Sequence, residues 1–252
     1  MKNTWKVALA AVALIGTASA ARADLTIEGQ TGLFINPTAE IVQKNAPEIS
    51  ASYLKNSNDE FKEKVYGIHG VIQAVDKLEL NAGLMHYKDN NNHSTNDWHL
   101  GGKYQILNQA EKGFDLAAGA DYARYNGSGD TNSTNNYLLY LAATKSFQAS
   151  NDRAPIQGTL GVRWDKSTYT GGYSSESKAS VYAGVQVPVT RTGEVSVIGE
   201  LGSKTYDDGE SVYAIGLRYH PKDTGLSLGV AYGRPWGYGH ALFAQIGYTF
   251  GK

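Results

Sequence analysis

From residue 48 onward, apolar and polar side chains alternate, and the alternation restarts after each cluster of Gly, Asn, Asp or Ser. Strict period-two patterning is the signature of a strand with two unlike faces. In His240–Phe250, Leu242, Ala244, Ile246, Tyr248 and Phe250 share one face, with Ala241, Phe243, Gln245, Gly247 and Thr249 opposite. In Lys178–Val189, Val181, Ala183, Val185, Val187 and Val189 oppose Ser180, Tyr182, Gly184 and Gln186. Asp97–Leu107 sets Trp98, Leu100, Gly102, Tyr104 and Ile106 against His99, Gly101, Lys103 and Gln105. Twelve such segments are predicted, at 48–55, 64–74, 78–88, 97–107, 114–124, 136–147, 156–167, 178–189, 194–205, 211–220, 226–234 and 240–250. Most exceed the roughly five or six residues of a soluble strand. They approach the roughly 9–11 that a tilted strand needs to cross a bilayer.

The second face is not that of an ordinary solvent-facing strand. It is rich in Gly, Ala, Ser and Thr with scattered charges, which suits the crowded interior of a modest barrel. Short connections (75–77, 108–113, 190–193, 222–225) alternate with polar ones (89–96, 125–135, 167–177, 207–210, 234–239), most of them longer. Short turns at one end and longer loops at the other are the habit of outer-membrane barrels. Residues 148–155 break the rule, and an even strand number leaves both termini at the short-turn end. Tyr66, Trp98, Tyr104, Tyr122, Tyr137, Trp164, Tyr213, Tyr219, Tyr232, Tyr248 and Phe250 fall on the predicted outward faces. Amphipathic rings there fit the interfacial girdles of a membrane barrel.

Composition agrees with this picture. Among 252 residues there are 29 Gly, 17 Tyr and no Cys, with net charge −1. The charge gives no electrostatic reason to expect a nucleic-acid partner, and the missing cysteines exclude disulfides and thiolate chemistry. A low mean hydropathy excludes a helical membrane protein but not a barrel, where one strand position in two faces lipid. Before the strands, Lys2 and Lys6 precede an apolar run from Val7 to Ala20, followed by Ala18-Ser19-Ala20 and Ala21-Arg22-Ala23. This predicts a signal peptide over 1–23, cleaved before Asp24. An uncleaved anchor is the alternative, though the run is shorter than the roughly 20 residues a spanning helix needs. Segment 24–47 then precedes the barrel of 48–252, tucked at its periplasmic end.

Both ends of the mature chain carry resemblances. The stretch from Ala244 through Tyr248 to Phe250 is similar to the C-terminal signal read by the barrel-assembly machinery, although Gly251 and Lys252 follow the aromatic. Gly29–Glu40, which includes Gly32, Leu33, Pro37, Thr38 and Ala39, resembles the opening of YjbH-like outer-membrane proteins. That resemblance implies a barrel associated with exopolysaccharide production or export.

No G-x-S-x-G, H-E-x-x-H or P-loop occurs. The six histidines show no metal-ligand spacing. Asp130–Asn135 lacks the glycine and glutamate of a calcium loop, so no catalytic residue, metal or cofactor is predicted. The residues expected to carry function are the charged ones on the inward face: Glu79, His99, Lys103, Asp115, Asp121, Arg163, Asp165, Glu200, Arg218 and His220. An Arg or Lys facing lipid near the midplane costs about 2–4 kcal/mol, so these groups should face the lumen. They either line a narrow pore or pair with one another across a filled lumen.

The sequence thus predicts an all-β, closed antiparallel up-and-down transmembrane barrel of about twelve strands with an N-terminal segment before strand one. The expected protein is a non-enzymatic outer-membrane pore or accessory barrel for small solutes or exopolysaccharide. Its partners would be outer-membrane lipid, the barrel-assembly machinery and the transported solute or polysaccharide. A soluble secreted barrel binding a small ligand and a barrel enzyme acting on surface lipid are the alternatives.

Overall fold

A computed structural model describes residues 24–57, 62–91, 93–127, 133–148, 153–170, 175–207, 209–237 and 239–251. The predicted leader, 1–23, and Asp130, Thr131 and Asn132 of the calcium-like loop lie outside the described residues. Twelve strands form one closed antiparallel barrel in which each strand pairs with its neighbours in sequence. They are β1 (Glu48–Ser57), β2 (Lys62–Val75), β3 (Leu78–Asp89), β4 (Ser94–Leu107), β5 (Asp115–Gly127) and β6 (Ser133–Phe147). The circuit continues through β7 (Ile156–Tyr169), β8 (Glu176–Pro188), β9 (Val195–Gly202), β10 (Val212–Tyr219), β11 (Leu226–Arg234) and β12 (His240–Thr249). Closure is made by β1 against β12, in register from Glu48↔Thr249 to Ser57↔His240. Among the described residues no strand edge is left unpaired, which is the condition for placing a sheet in hydrocarbon. The short helix α1 (Gln109–Lys112), capped by the Asn108 side chain, turns β4 into β5.

The predicted alternation is realised in space. Leu141, Leu160, Val181, Leu201 and Ile215, neighbours on β6 to β10, all point outward, and Leu160 is 67% exposed. Tyr66, Trp98, Tyr104, Tyr137, Trp164, Tyr219, Tyr232, Tyr248 and Phe250 are exposed on the same surface. Tyr122 and Tyr213 are partly covered. An apolar surface running around the whole wall needs lipid against it.

Several strands run past the predicted ends. β4 starts at Ser94 rather than 97, β5 ends at Gly127 rather than 124, and β6 starts at Ser133 rather than 136. Their polar Asn, Ser and Thr residues read as loop, yet their backbone is paired with neighbouring strands, and polar side chains cost nothing there if the wall stands clear of hydrocarbon. β9 instead stops at Gly202, short of the predicted 205. The wall is uneven as a result: β2 to β8 run 12 to 15 residues, while β9 to β12 run 8 to 10.

The interior holds residues 24–47, which carry no regular secondary structure beyond the bridges Leu25↔Thr31 and Gly32↔Pro37. The segment starts with Asp24 beside His220, at the termini end. It rises to a turn closed by Gly29 N–H donating to Thr26 O, turns again at Leu33–Asn36, and returns to β1. Ile27, Leu33, Phe34 and Ile35 join inward-facing Leu54, Val65, Met85, Ile198 and Phe243 in one apolar cluster inside the barrel. Glycines make room for what crosses the lumen. A Cβ on Gly161 would collide with the ring of Tyr182, and Gly29, at φ +89°, lies flat against His69 and His99.

Candidate functional site

Each turn of the lumen segment is met by a charged or hydroxylic side chain from the wall. Glu200, on β9, aims its carboxylate at the Leu33–Asn36 turn. It accepts the N–H groups of Phe34 (2.9 Å), Ile35 (2.9 Å) and Asn36 (3.0 Å) and the Asn36 amide (2.9 Å). On β3, Glu79 accepts from Thr31 N–H (3.3 Å), the Thr31 hydroxyl (2.5 Å) and Val42 N–H (2.8 Å). Lys103, on β4, stands 3.4 Å from Glu79 and donates to the carbonyls of Thr31 (2.9 Å), Thr38 (3.2 Å) and Glu40 (2.6 Å). Both partners of this ion pair are 0% exposed at the side chain. A buried pair gains little by itself, because desolvation offsets the Coulomb attraction, so the backbone contacts make the arrangement stable.

Arg218, on β10, donates to the carbonyls of Gly32 (3.3 Å) and Leu33 (3.1 Å) and pairs with Asp24 at 3.3 Å. Its guanidinium carbon lies 4.9 Å from the centre of the Phe34 ring. His220 Nε2 is 2.8 Å from the other Asp24 oxygen. Thr144 accepts Ala39 N–H (2.9 Å), and the Tyr182 hydroxyl donates to Pro37 O (2.9 Å). Gly32, Leu33, Pro37, Thr38 and Ala39, the opening motif, are thus all buried in the lumen.

The structure places the ten charged or histidine positions on the inner side of the wall or its rims, in three groups. Glu79, Lys103, Glu200, Arg218 and His220 hold the lumen segment. Asp115 holds the short-turn rim, accepting from Gln105 (3.1 Å) and Gln109 N–H (2.8 Å). His99, Asp121, Arg163 and Asp165 lie toward the opposite end, where Arg163 grips Asp165 through two bonds of 2.8 and 2.5 Å. The expectation of charges pairing across the lumen is corrected here. Lys103–Glu79 joins adjacent strands, Arg163–Asp165 joins neighbours on one strand, and the space between the walls is occupied by the segment.

Sequence reasoning left out several residues of the interior. Thr144 and Tyr182 read as ordinary small-face or aromatic positions. His69 stacks on His99 with ring centres 5.1 Å apart, although the two are 30 residues apart in sequence. Ser52 Oγ is 3.3 Å from His69 Nε2. The other His69 nitrogen faces His99 rather than a carboxylate, so this pair lacks the orienting acid of a hydrolytic triad. Asp97 could have been found, since it opens the same face as His99. Trp236, donating to Glu28 at 3.2 Å, lies in a loop without periodicity and gave no signal.

No protein-family model matches this sequence, and no curated protein does. Solved structures do resemble it. The KdgM porin in complex with disordered oligogalacturonate aligns with TM-score 0.52 at 13% identity, over 80% of this chain and 99% of that one. The translocator domain of the autotransporter NalP from Neisseria meningitidis aligns with TM-score 0.51 at 15% identity, over 99% of this chain and 100% of that one. At such identity the likeness is one of fold: a closed β-barrel of the outer-membrane kind.

Two outcomes follow from the lumen contacts. Replacing Lys103 alone with Met leaves Glu79 buried without its counter-charge and should cost about 3–5 kcal/mol in urea unfolding from vesicles. The double variant Lys103→Met/Glu79→Gln should recover part of that loss. Glu40 is raised to about 7 by burial and then by the nearby Asp115 carboxylate. A raised acid binds its proton more tightly in the folded state, so stability falls as pH climbs from about 4.5 through 7. Glu40→Gln, which keeps an acceptor for Gln157, should raise the temperature of the heat-induced gel shift at pH 8.5. It should leave that temperature unchanged at pH 4.5.

Proposed function

We propose that the protein is a non-enzymatic outer-membrane barrel whose lumen its own N-terminal segment closes. It passes small hydrophilic solutes when that segment leaves. The observation that carries this reading is the nature of the contact between segment and wall. Glu200, Glu79, Lys103 and Arg218 bind backbone N–H and C=O groups, which are groups that water can satisfy equally well once the segment is withdrawn. The wall is complete without the segment, since every strand pairs through residues 48–249. Withdrawal would leave a lumen with a ring of charged side chains and an apolar patch, which is a wettable channel. Mixed signs on the ring argue for weak ion selectivity.

Assistance in exopolysaccharide export is the second reading. It is favoured by the position of Gly32–Ala39: the residues that resemble the YjbH-like opening are the ones that close the lumen.

Planar-bilayer recording tests the proposal. The intact chain should insert without steady conductance, and a variant lacking residues 24–42 should insert as a heat-modifiable barrel with a steady ohmic current. Equal conductance of the two, or a correctly folded deletion variant that stays silent, would overturn the closed-pore reading.

A further inference from the structure

Beyond the tip of the lumen segment, toward the end away from the termini, a small pocket of about 80 Å³ remains. Its floor is Glu28 and Gln30 of the segment, its sides come from β3 to β7, and Tyr206 and Trp236 reach it from the loops. Four carboxylates line it: Glu28, Asp97, Asp121 and Asp165. Arg163 is bound through two bonds to Asp165. Lys166 belongs to the outer face of β7, because Arg163 and Asp165 face inward and side chains alternate. Lys103 lies deeper, among Glu79 and three carbonyl groups. His99 is held against His69.

Glu28, Asp97 and Asp121, with Asp165, therefore outnumber the cations near them, Arg163 attracting Glu28 as well as Asp165 and the deeper Lys103 attracting Asp121. The hydrogen-bond partners of Glu28 and Asp97 are neutral. The Trp236 N–H meets Glu28, and the Tyr87 hydroxyl meets Asp97 at 2.9 Å. Asp97 is only 3% exposed, and its second oxygen has no hydrogen bond of normal geometry, although the Tyr125 hydroxyl and the Met85 N–H stand near the carboxylate. Both Asp121 oxygens and the amide oxygen of Asn136, on the same lining, lack a hydrogen bond of normal geometry, although the Asn81 and Gln30 amides stand beside Asp121. Aromatic rings stand beside these carboxylates: Tyr87 packs on Tyr125 at 5.5 Å and on Trp236 at 6.4 Å between centres.

Carboxylates with spare acceptor capacity next to aromatic faces are what an alkylammonium group requires. Its three N–H bonds find acceptors, and its charge is attracted to the rings. A bare metal ion fits less well, since among the described residues no three His, Asp or Glu side chains converge as ligands. We propose that this pocket binds the primary ammonium group of a small organic molecule, with Glu28, Asp97 and Asp121 as its counter-charges. The site is independent of whether the lumen segment ever leaves, because the intact, closed barrel already contains it.

Calorimetric titration of the intact protein in detergent at low salt, with glucosamine, putrescine, glucose and galacturonate as probes, tests this. At least one amine should bind at least about tenfold more tightly than glucose and galacturonate, and added salt should weaken it. Tighter binding of glucosamine identifies an amino sugar, and tighter binding of putrescine an aliphatic amine. Asp97→Asn and Glu28→Gln, one on the wall and one on the segment, should each weaken the amine at least about fivefold while keeping the heat-modifiable gel shift. Glucose binding as well as glucosamine, a preference for galacturonate, amine binding unchanged in both folded variants, or no binding by any probe to folded protein would overturn the proposal.

Discussion

An irregular stretch of backbone enclosed in a barrel carries N–H and C=O groups that neither a strand ladder nor bulk water serves. Leaving such groups unpaired costs more than a hydrogen bond normally contributes, so they must be matched. Here the wall does the matching. One carboxylate, Glu200, takes three consecutive N–H groups at the tightest turn, and one ammonium, Lys103, takes three carbonyls from both limbs of the segment. Glu79, Arg218, Thr144 and Tyr182 take others, and backbone bonds within the segment, such as Ile27 N–H to Phe34 O, complete the set. Charged groups suit this role because a carboxylate accepts, and an ammonium or guanidinium donates, several bonds at once. Their own desolvation is offset by the same contacts.

That requirement explains the odd inner face of the strands. A barrel filled by its opposite walls would need large inward residues. This one has Gly83, Gly101, Gly119 and Gly161 there, and the space they free is taken by His69, His99, Asp121, Tyr140 and Tyr182. The apolar side chains of the segment, Ile27, Leu33, Phe34 and Ile35, supply the hydrophobic contribution that the small inner residues do not. Polar anchoring and apolar packing thus come from the same two dozen residues. The first can be exchanged for water; the second resists withdrawal and favours the closed state.

Much of the wall was legible because its signal is local. Leu242 through Phe250 or Val181 through Val189 reveal their two faces within ten residues, and the inward direction of Lys103 or Arg218 follows from the cost of placing them in lipid. The occupant of the lumen was not legible in the same way. Leu33-Phe34-Ile35 has no period, and its anchor, Glu200, stands 166 residues from Phe34. A carboxylate that binds backbone amides looks, in sequence, like one that lines a pore. The polar pocket was hidden for a related reason. Glu28 comes from the segment, Asp97 and Asp121 from the wall, and Trp236 from an aperiodic loop, and only the closed fold brings them together.

The closed lumen requires residues 24–47 to sit inside the barrel when the protein is in its membrane, and a cross-link measures that directly. The chain has no cysteine of its own. Ala39 N lies 2.9 Å from Thr144 Oγ1, so the segment and β6 are adjacent at this point. In the variant Ala39→Cys/Thr144→Cys, purified in outer-membrane fractions under oxidising conditions, a segment seated in the lumen gives a near-complete 39–144 disulfide. Cysteines that stay free and react with a membrane-impermeant maleimide would contradict it.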